Sequence, residues 1–280
     1  MRVAVVQLEP LLAEPRRNVD IIEQKLAEAA AEGAELAVFP ECAVSGYMFQ
    51  SLEEARAVAE PIPGESSDRI IAAASAHGIY AVVGMLERSG EDVFNSAVLV
   101  GPDGLVAVYR KTHTLCLGVD RFTTPGGGPY EVHDLPIGKV GVLICYDLRF
   151  PEAARALALA GAQVIALPTN WPEKSHIQPD VFTRSRAAEN HVYILAANRV
   201  GNERAAHFLG RSQIVLPTGR VLVEAPTDDE AMLIRDIDPR RADEKNVVVA
   251  PGEHEMDCFG DRRPDLYGSL VRQEFLAEVR

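Results

Sequence analysis

Apolar positions along this chain fall into two kinds of run. Residues 3–8, 36–39, 140–144 and 164–167 are apolar almost without alternation, the pattern of strands buried on both faces. Residues 18–32 instead carry Val19, Ile22, Leu26 and Ala29 or Ala30 at helical spacing and stop at Gly33. Residues 152–160 form a second helical stretch, with Pro151 in the first turn and Gly161 behind it. Two strand–helix–strand units result, and their second strands are alike: Gly33-Ala-Glu-Leu-Ala-Val-Phe-Pro40 and Gly161-Ala-Gln-Val-Ile-Ala-Leu-Pro168. This predicts two related halves with parallel central strands joined by right-handed crossovers.

Between the units the pattern predicts a helix over 67–77 and strands over 79–86, 94–100 and 105–110, the last two joined by the Gly101-Pro-Asp-Gly104 turn. After the second unit come a helix over 180–191, a strand over 192–197 and a hairpin of 213–216 with 221–223. Loops 112–128 and 170–179 are long enough to be functional. The expected fold is α/β, one domain over residues 1–280 in which two mixed sheets pack between outer helices. Its core spans about 1–240, and a loosely structured tail of about 241–280 is expected to pack on another subunit.

At 280 residues and 47% hydrophobic content the chain can build a full core. No run approaches the ~18 apolar residues of a membrane span, and the first strand starts at residue 3 without a signal pattern. A cytoplasmic protein with no membrane partner is expected. A net charge of −13, from 41 acidic against 28 basic residues, argues against a nucleic-acid partner. Cysteines 42, 116, 145 and 258 lack paired spacing, so reduced thiols are expected rather than a disulfide framework or zinc site. His113, His176, His191 and His207 are scattered, with no cysteine–histidine fingerprint and no ligand spacing, so no metal is expected.

Cys145 stands where the 140–144 strand gives way to polar residues and a helix, the junction where open α/β sheets place their chemistry. A buried structural cysteine is the alternative. Glu41 follows the 36–39 strand and Lys111 follows the 105–110 strand. Together the three suit acyl transfer, in which a carboxylate takes the thiol proton, the thiolate attacks a carbonyl, and an ammonium stabilises the oxyanion. Taken singly, Glu41 also reads as a loop cap, Lys111 as a solvated surface charge and Cys145 as core.

The segments Phe39-Pro-Glu-Cys-Ala-Val-Ser-Gly-Tyr47, Tyr109-Arg-Lys-Thr-His113 and Gly141-Val-Leu-Ile-Cys-Tyr-Asp-Leu-Arg-Phe-Pro-Glu152 resemble the three signature blocks of the nitrilase superfamily, the carbon-nitrogen hydrolases. Supporting matches (Asn95-Ser96, Thr124-Pro-Gly126, Arg186 to Asn190, Ala197 to Gly201, Gly210-Arg-Ser212) extend the resemblance over roughly residues 1–240. It implies an α-β-β-α sandwich, no cofactor, a homodimer or larger assembly, and a thioester route that releases ammonia. Cys145 would be the nucleophile, Glu41 the general base and Lys111 the oxyanion stabiliser, with the Tyr146 backbone N–H as second donor. The family usually carries another glutamate after the lysine. Asp120 is the nearest acidic counterpart here, one methylene shorter, and also reads as an ordinary loop aspartate.

Nitrile-cleaving members usually carry Cys-Trp-Glu, whereas Cys145-Tyr-Asp147 resembles the amidase and carbamoylase branches. Asn170 is placed to hydrogen-bond a substrate amide. Trp171 would wall an apolar pocket, or equally pack in the core or between subunits. Tyr47 and Phe49 would line the opposite side. The expectation is an amidase that hydrolyses a small, aliphatic carboxamide to carboxylic acid and ammonia. An N-carbamoyl amidohydrolase is the alternative, followed by a nitrilase and then a non-catalytic scaffold.

Overall fold

The first buried run forms β1 (Arg2–Gln7), whose Val3 to Val6 are wholly buried. It leads into α1 (Pro15–Ala31), which starts three residues before the predicted boundary because Pro15 takes the first helical turn. β2 (Leu36–Val38), α2 (Leu52–Val58), α3 (Glu65–His77), β3 (Tyr80–Ser89), β4 (Asp92–Gly101) and β5 (Gly104–Arg110) complete the first half. The second half contains β6 (Val132–Leu135), β7 (Gly138–Val142), α4 (Pro151–Leu159), β8 (Val164–Pro168), α5 (Thr183–Asn190) and β9 (Tyr193–Ala197). The short ribbon β10 (Asn202–Glu203) and β11 (Ala206–His207) follows, then β12 (Gln213–Val215), β13 (Val221–Glu224) and β14 (Ala231–Asp236). The computed structural model describes residues 1–272 of the chain.

Two six-stranded sheets result, ordered β14-β1-β2-β3-β4-β5 and β13-β12-β9-β8-β7-β6. In the first, β1, β2 and β3 are parallel, flanked by antiparallel β14 on one side and by β4 and β5 on the other. In the second, β7, β8 and β9 are parallel, flanked by antiparallel β6 and by β12 and β13. The two sheets thus repeat one plan, which the matching Gly-to-Pro segments anticipate. The α1–α3 pair and the α4–α5 pair provide the helical packing, and β1, β2 and β3 meet β8 and β9 face to face. Central strands are therefore covered on both sides, which is why their sequences do not alternate.

One core cluster joins Ala4, Val6, Ala37, Phe39, Ala81 and Val83 of the first sheet to Val19, Ile22, Leu26 and Ala29 of α1 and to Ile70 and Ala74 of α3. These are the helical positions that the 18–32 spacing singles out. β6, β14 and α2, with the short ribbon of β10 and β11, are additional to the predicted elements. The first two strands lie at sheet edges and are half-exposed, so neither carries a continuous apolar run. The helix expected over 180–191 instead opens with a wider π turn at Gln178–Phe182 and is regular only from Thr183.

By its internal packing the chain divides into Met1–Asp243 and Glu244–Arg280. Within the described part of the second unit, Asn246–Ala250 and His254–Asp257 pair as an antiparallel hairpin, which is more regular than the loose tail expected there. Residues 273–280 of the expected tail lie outside the described residues.

Candidate active site

Glu41 comes off the end of β2. Phe39 still donates its N–H to the Val82 carbonyl, and Pro40 then turns the chain so that Cys42 takes a left-handed φ of 50°. Gly84 of β3 lies directly beneath this turn, where a Cβ would fall 2.5 Å from the Pro40 oxygen and the Cys42 nitrogen. The first sheet's own backbone thus sets the height of Glu41.

Lys111 follows β5, with its backbone N–H on the Asn95 carbonyl at 2.8 Å. Its Nζ donates to Glu41 Oε1 at 2.7 Å and to Asp120 Oδ2 at 2.5 Å, and all three side chains are wholly buried. Asn95 Nδ2 donates to the same Glu41 oxygen at 2.7 Å and to Asp120 Oδ1 at 2.9 Å. The Cys42 thiol donates to Asn95 Oδ1 at 3.5 Å, which holds the amide with its NH2 toward the carboxylates. Asp120 sits in the 3-10 turn Gly118–Arg121, where Gly118 at φ 50° packs so closely on the Tyr47 ring that a Cβ would clash. The aspartate one methylene shorter than the family's usual glutamate therefore reaches the lysine.

Cys145 belongs to the second sheet. β7 ends at Val142, two residues before the predicted boundary, although Leu143 still donates to the Ala166 carbonyl. Cys145 then opens the 3-10 turn Cys145–Arg149 with a φ of 45°. A left-handed conformation costs a non-glycine residue roughly 1–2 kcal/mol, so the turn must be held. Asp147 holds it, donating its N–H to the Ile144 carbonyl at 3.0 Å and accepting the Ile144 N–H on Oδ2 at 3.0 Å. The Tyr146 N–H lies ahead of Asp147, the first donor this turn uses for itself.

Burial pushes the Glu41 carboxyl above the usual carboxylate range, and the Asp120 charge adds to this, while Lys111 pulls the other way. Burial alone would lower Lys111, but Glu41 and Asp120 outweigh it and hold the ammonium well above its ordinary value. The Cys145 thiol is raised by burial first and by Glu41 second. Lys111, the Thr169 hydroxyl and the Asn170 backbone N–H favour the thiolate without reversing the shift. The balance at Cys145 thus favours the protonated thiol over the thiolate.

Thr169 follows Pro168 as Glu41 follows Pro40, so the two halves carry a hydroxyl and a carboxylate at corresponding positions. Asn170 donates its Nδ2 to the Glu41 backbone carbonyl at 2.9 Å. Asn170 Oδ1, Glu41 Oε2 and Trp171 Nε1 are buried without a protein hydrogen-bond partner among the described residues. Trp171 is itself fully buried and anchored through its backbone N–H to Asn198 Oδ1 at 2.8 Å. The Tyr47 ring centroid lies 6.0 Å from Lys111 Nζ, with its hydroxyl on the Leu117 carbonyl at 3.1 Å. Phe49 packs with Tyr47, Val119 and Phe208 in a separate apolar cluster. Tyr146 is half-buried and meets Phe150 edge-on, their ring centroids 5.2 Å apart.

Asn95, the contacts of Asp147 and the Glu203–Arg199 pair are functional features that the sequence alone does not single out. Glu203 accepts the Tyr47 N–H at 2.8 Å and the Met48 N–H, pairs with Arg199, and so anchors the loop behind Glu41. Asn95 does carry a sequence signal, because an amide inside the apolar 94–100 strand must find buried partners. Cavity size is a poorer guide: an open cavity of about 480 Å³ bounded by Tyr109, Arg110, Thr112 and His133 includes none of Glu41, Lys111 or Cys145 in its walls.

The carbon-nitrogen hydrolase family matches this chain over residues 2–246. A nitrilase of Pyrococcus abyssi is 40% identical over 270 residues, spanning 95% of this chain and 99% of the relative. The human omega-amidase NIT2 is 32% identical over 287 residues, spanning 97% and 98% respectively. An amidase from Nesterenkonia sp. AN1 superposes with a TM-score of 0.80 at 26% identity, covering 97% of each chain, in a mutant form whose active-site cysteine carries the acetamide moiety of fluoroacetamide. The chain belongs to the carbon-nitrogen hydrolases of the nitrilase superfamily, and its two sheets with flanking helices are that family's fold.

Proposed function

We propose that this protein is an amidase that hydrolyses a small primary carboxamide to carboxylic acid and ammonia. The observation that carries the reading is the buried Glu41–Lys111 pair at 2.7 Å, coupled electrostatically to a Cys145 thiol that needs a base. In the proposed sequence, Glu41 takes the thiol proton as the sulfur attacks the amide carbon. Lys111 Nζ and the Tyr146 N–H receive the oxyanion, whose charge develops in a site that excludes water. Glu41 returns the proton to the departing nitrogen, which leaves as ammonia and gives a thioester. Water, deprotonated by Glu41, then cleaves the thioester to release the acid and restore the thiol.

One unpartnered buried acceptor, Asn170 Oδ1, supports an amide over a nitrile, since Glu41 Oε2 is taken up by the thiol proton with either substrate. A primary carboxamide offers an N–H donor for Asn170, whereas a nitrile offers none and would leave the acceptor unpaired at about 1–3 kcal/mol. The similarity to a nitrilase keeps nitrile hydrolysis as the second reading. Aliphatic amides, N-carbamoyl amines and nitriles are to be assayed side by side for ammonia, with carbon dioxide measured for the carbamoyl compounds. The expected result is ammonia from amides alone, abolished in Cys145→Ala. Turnover of nitriles but not amides, or undiminished turnover in Cys145→Ala, would overturn the reading.

A further inference from the structure

The Asp147 carboxylate is wholly buried and has no assigned part in the chemistry, yet it collects contacts from two separate segments. From the nucleophile's side, Oδ2 accepts the Ile144 N–H at 3.0 Å. From the lysine's side, the same oxygen accepts the Tyr109 hydroxyl at 2.8 Å, while Oδ1 accepts the Thr112 hydroxyl and the His113 N–H, both at 3.0 Å. His113 Nδ1 lies 2.7 Å from Oδ1, and its ring is stacked on Phe150 with centroids 3.7 Å apart. Ile144 immediately precedes Cys145, and Thr112 and His113 immediately follow Lys111. The two segments leave different sheets, β7 in the second and β5 in the first.

A carboxylate suits this place because both oxygens accept and neither donates. An amide of the same shape would turn an NH2 toward groups that are themselves donors.

We propose that Asp147 is a positioning residue that fixes Cys145 relative to Lys111 by tying the backbone before the nucleophile to the loop after the ammonium. Its kinetic consequence rests on the amidase reading, whereas its effect on the thiol does not. The test therefore uses two readouts, alkylation of Cys145 by iodoacetamide followed by mass spectrometry, with exposed Cys116 as internal reference, and ammonia release from an aliphatic amide.

In Asp147→Asn, Cys145 alkylation is expected to slow about tenfold relative to Cys116, and kcat to fall about a hundredfold with KM within threefold, the penalty of a misplaced reacting group. A melting curve establishes that the variant is folded. If it is not, Tyr109→Phe combined with Thr112→Val decides the matter, since it removes two lysine-side donors and leaves the Ile144 contact intact. Slower Cys145 labelling in that double variant supports the proposal. Labelling of Cys145 at the wild-type rate in a folded variant overturns it. A wild-type protein that labels rapidly at Cys145 but releases no ammonia from any amide sinks the amidase reading instead, and the labelling comparison still decides the part of Asp147.

Discussion

Lys111 serves two buried carboxylates, Glu41 and Asp120, so the cluster carries an excess negative charge whenever all three groups are ionised. Glu41 bears the strain, since burial raises it above the ordinary carboxylate value of 4.5. The native state then binds the Glu41 proton more tightly than the unfolded chain does. Its contribution to stability is complete below the unfolded value and is lost as pH rises through the higher native one. Glu41→Gln removes that loss and leaves Lys111 paired with Asp120 alone. We expect this variant to melt at or above the wild-type temperature at pH 7 while releasing no ammonia, and a melting point several degrees lower would refute the account. Lys111→Met leaves two buried carboxylates unpaired. Urea unfolding should show a loss of about 3–5 kcal/mol at pH 7, shrinking as the solution is acidified. On the amidase reading Glu41 must be ionised to act as base, so the acid limb of kcat/KM should lie above the ordinary carboxylate range, and a limb at or below 4.5 would exclude Glu41 from that step.

At the scale of elements, the site depends on backbone that no polar residue advertises. Gly84 of β3 allows the Glu41 turn to rest on the sheet, and an added Cβ would meet that turn at 2.5 Å. Gly84→Ala should therefore destabilise the fold by about 1–3 kcal/mol and, on the amidase reading, depress kcat as well, because the strain falls on the turn that carries Glu41. Full activity in a destabilised variant would show that the turn relaxes without moving its carboxylate. The same distinction explains what the sequence revealed. Glu41, Lys111 and Cys145 were legible because each stands just beyond the end of a strand that the sequence pattern marks, and the repeated Gly-to-Pro segments disclosed the two halves. Asp147, Glu203 and the partners of Asn95 were not, because their roles depend on which strand ends meet in space. α2 carried a local signal in Ser51, whose side chain accepts the Glu54 N–H, but its seven residues are too few to display a helical period.

For the whole molecule, Met1–Asp243 closely matches the residues covered by the family, 2–246. No described helix is long and apolar enough to cross a membrane. Beyond the first unit, Val248, Val249, Leu266, Leu270 and Val271 are exposed apolar side chains. We propose that they pack on another subunit, as exposed apolar side chains in this number often do. Light scattering should then give at least a dimer mass for the full chain and a smaller mass for a chain ending at Asp243, and an unchanged mass would exclude that role for the segment.

The groups proposed to react are divided between layers, with Glu41 and Lys111 leaving the first sheet and Cys145 the second. Turnover is thus a gauge of how the layers are docked and not only of whether each is folded. In a denaturant titration, ammonia release should fade before the far-ultraviolet dichroism that reports the sheets themselves, making activity an early alarm for slippage between two layers that are each still intact.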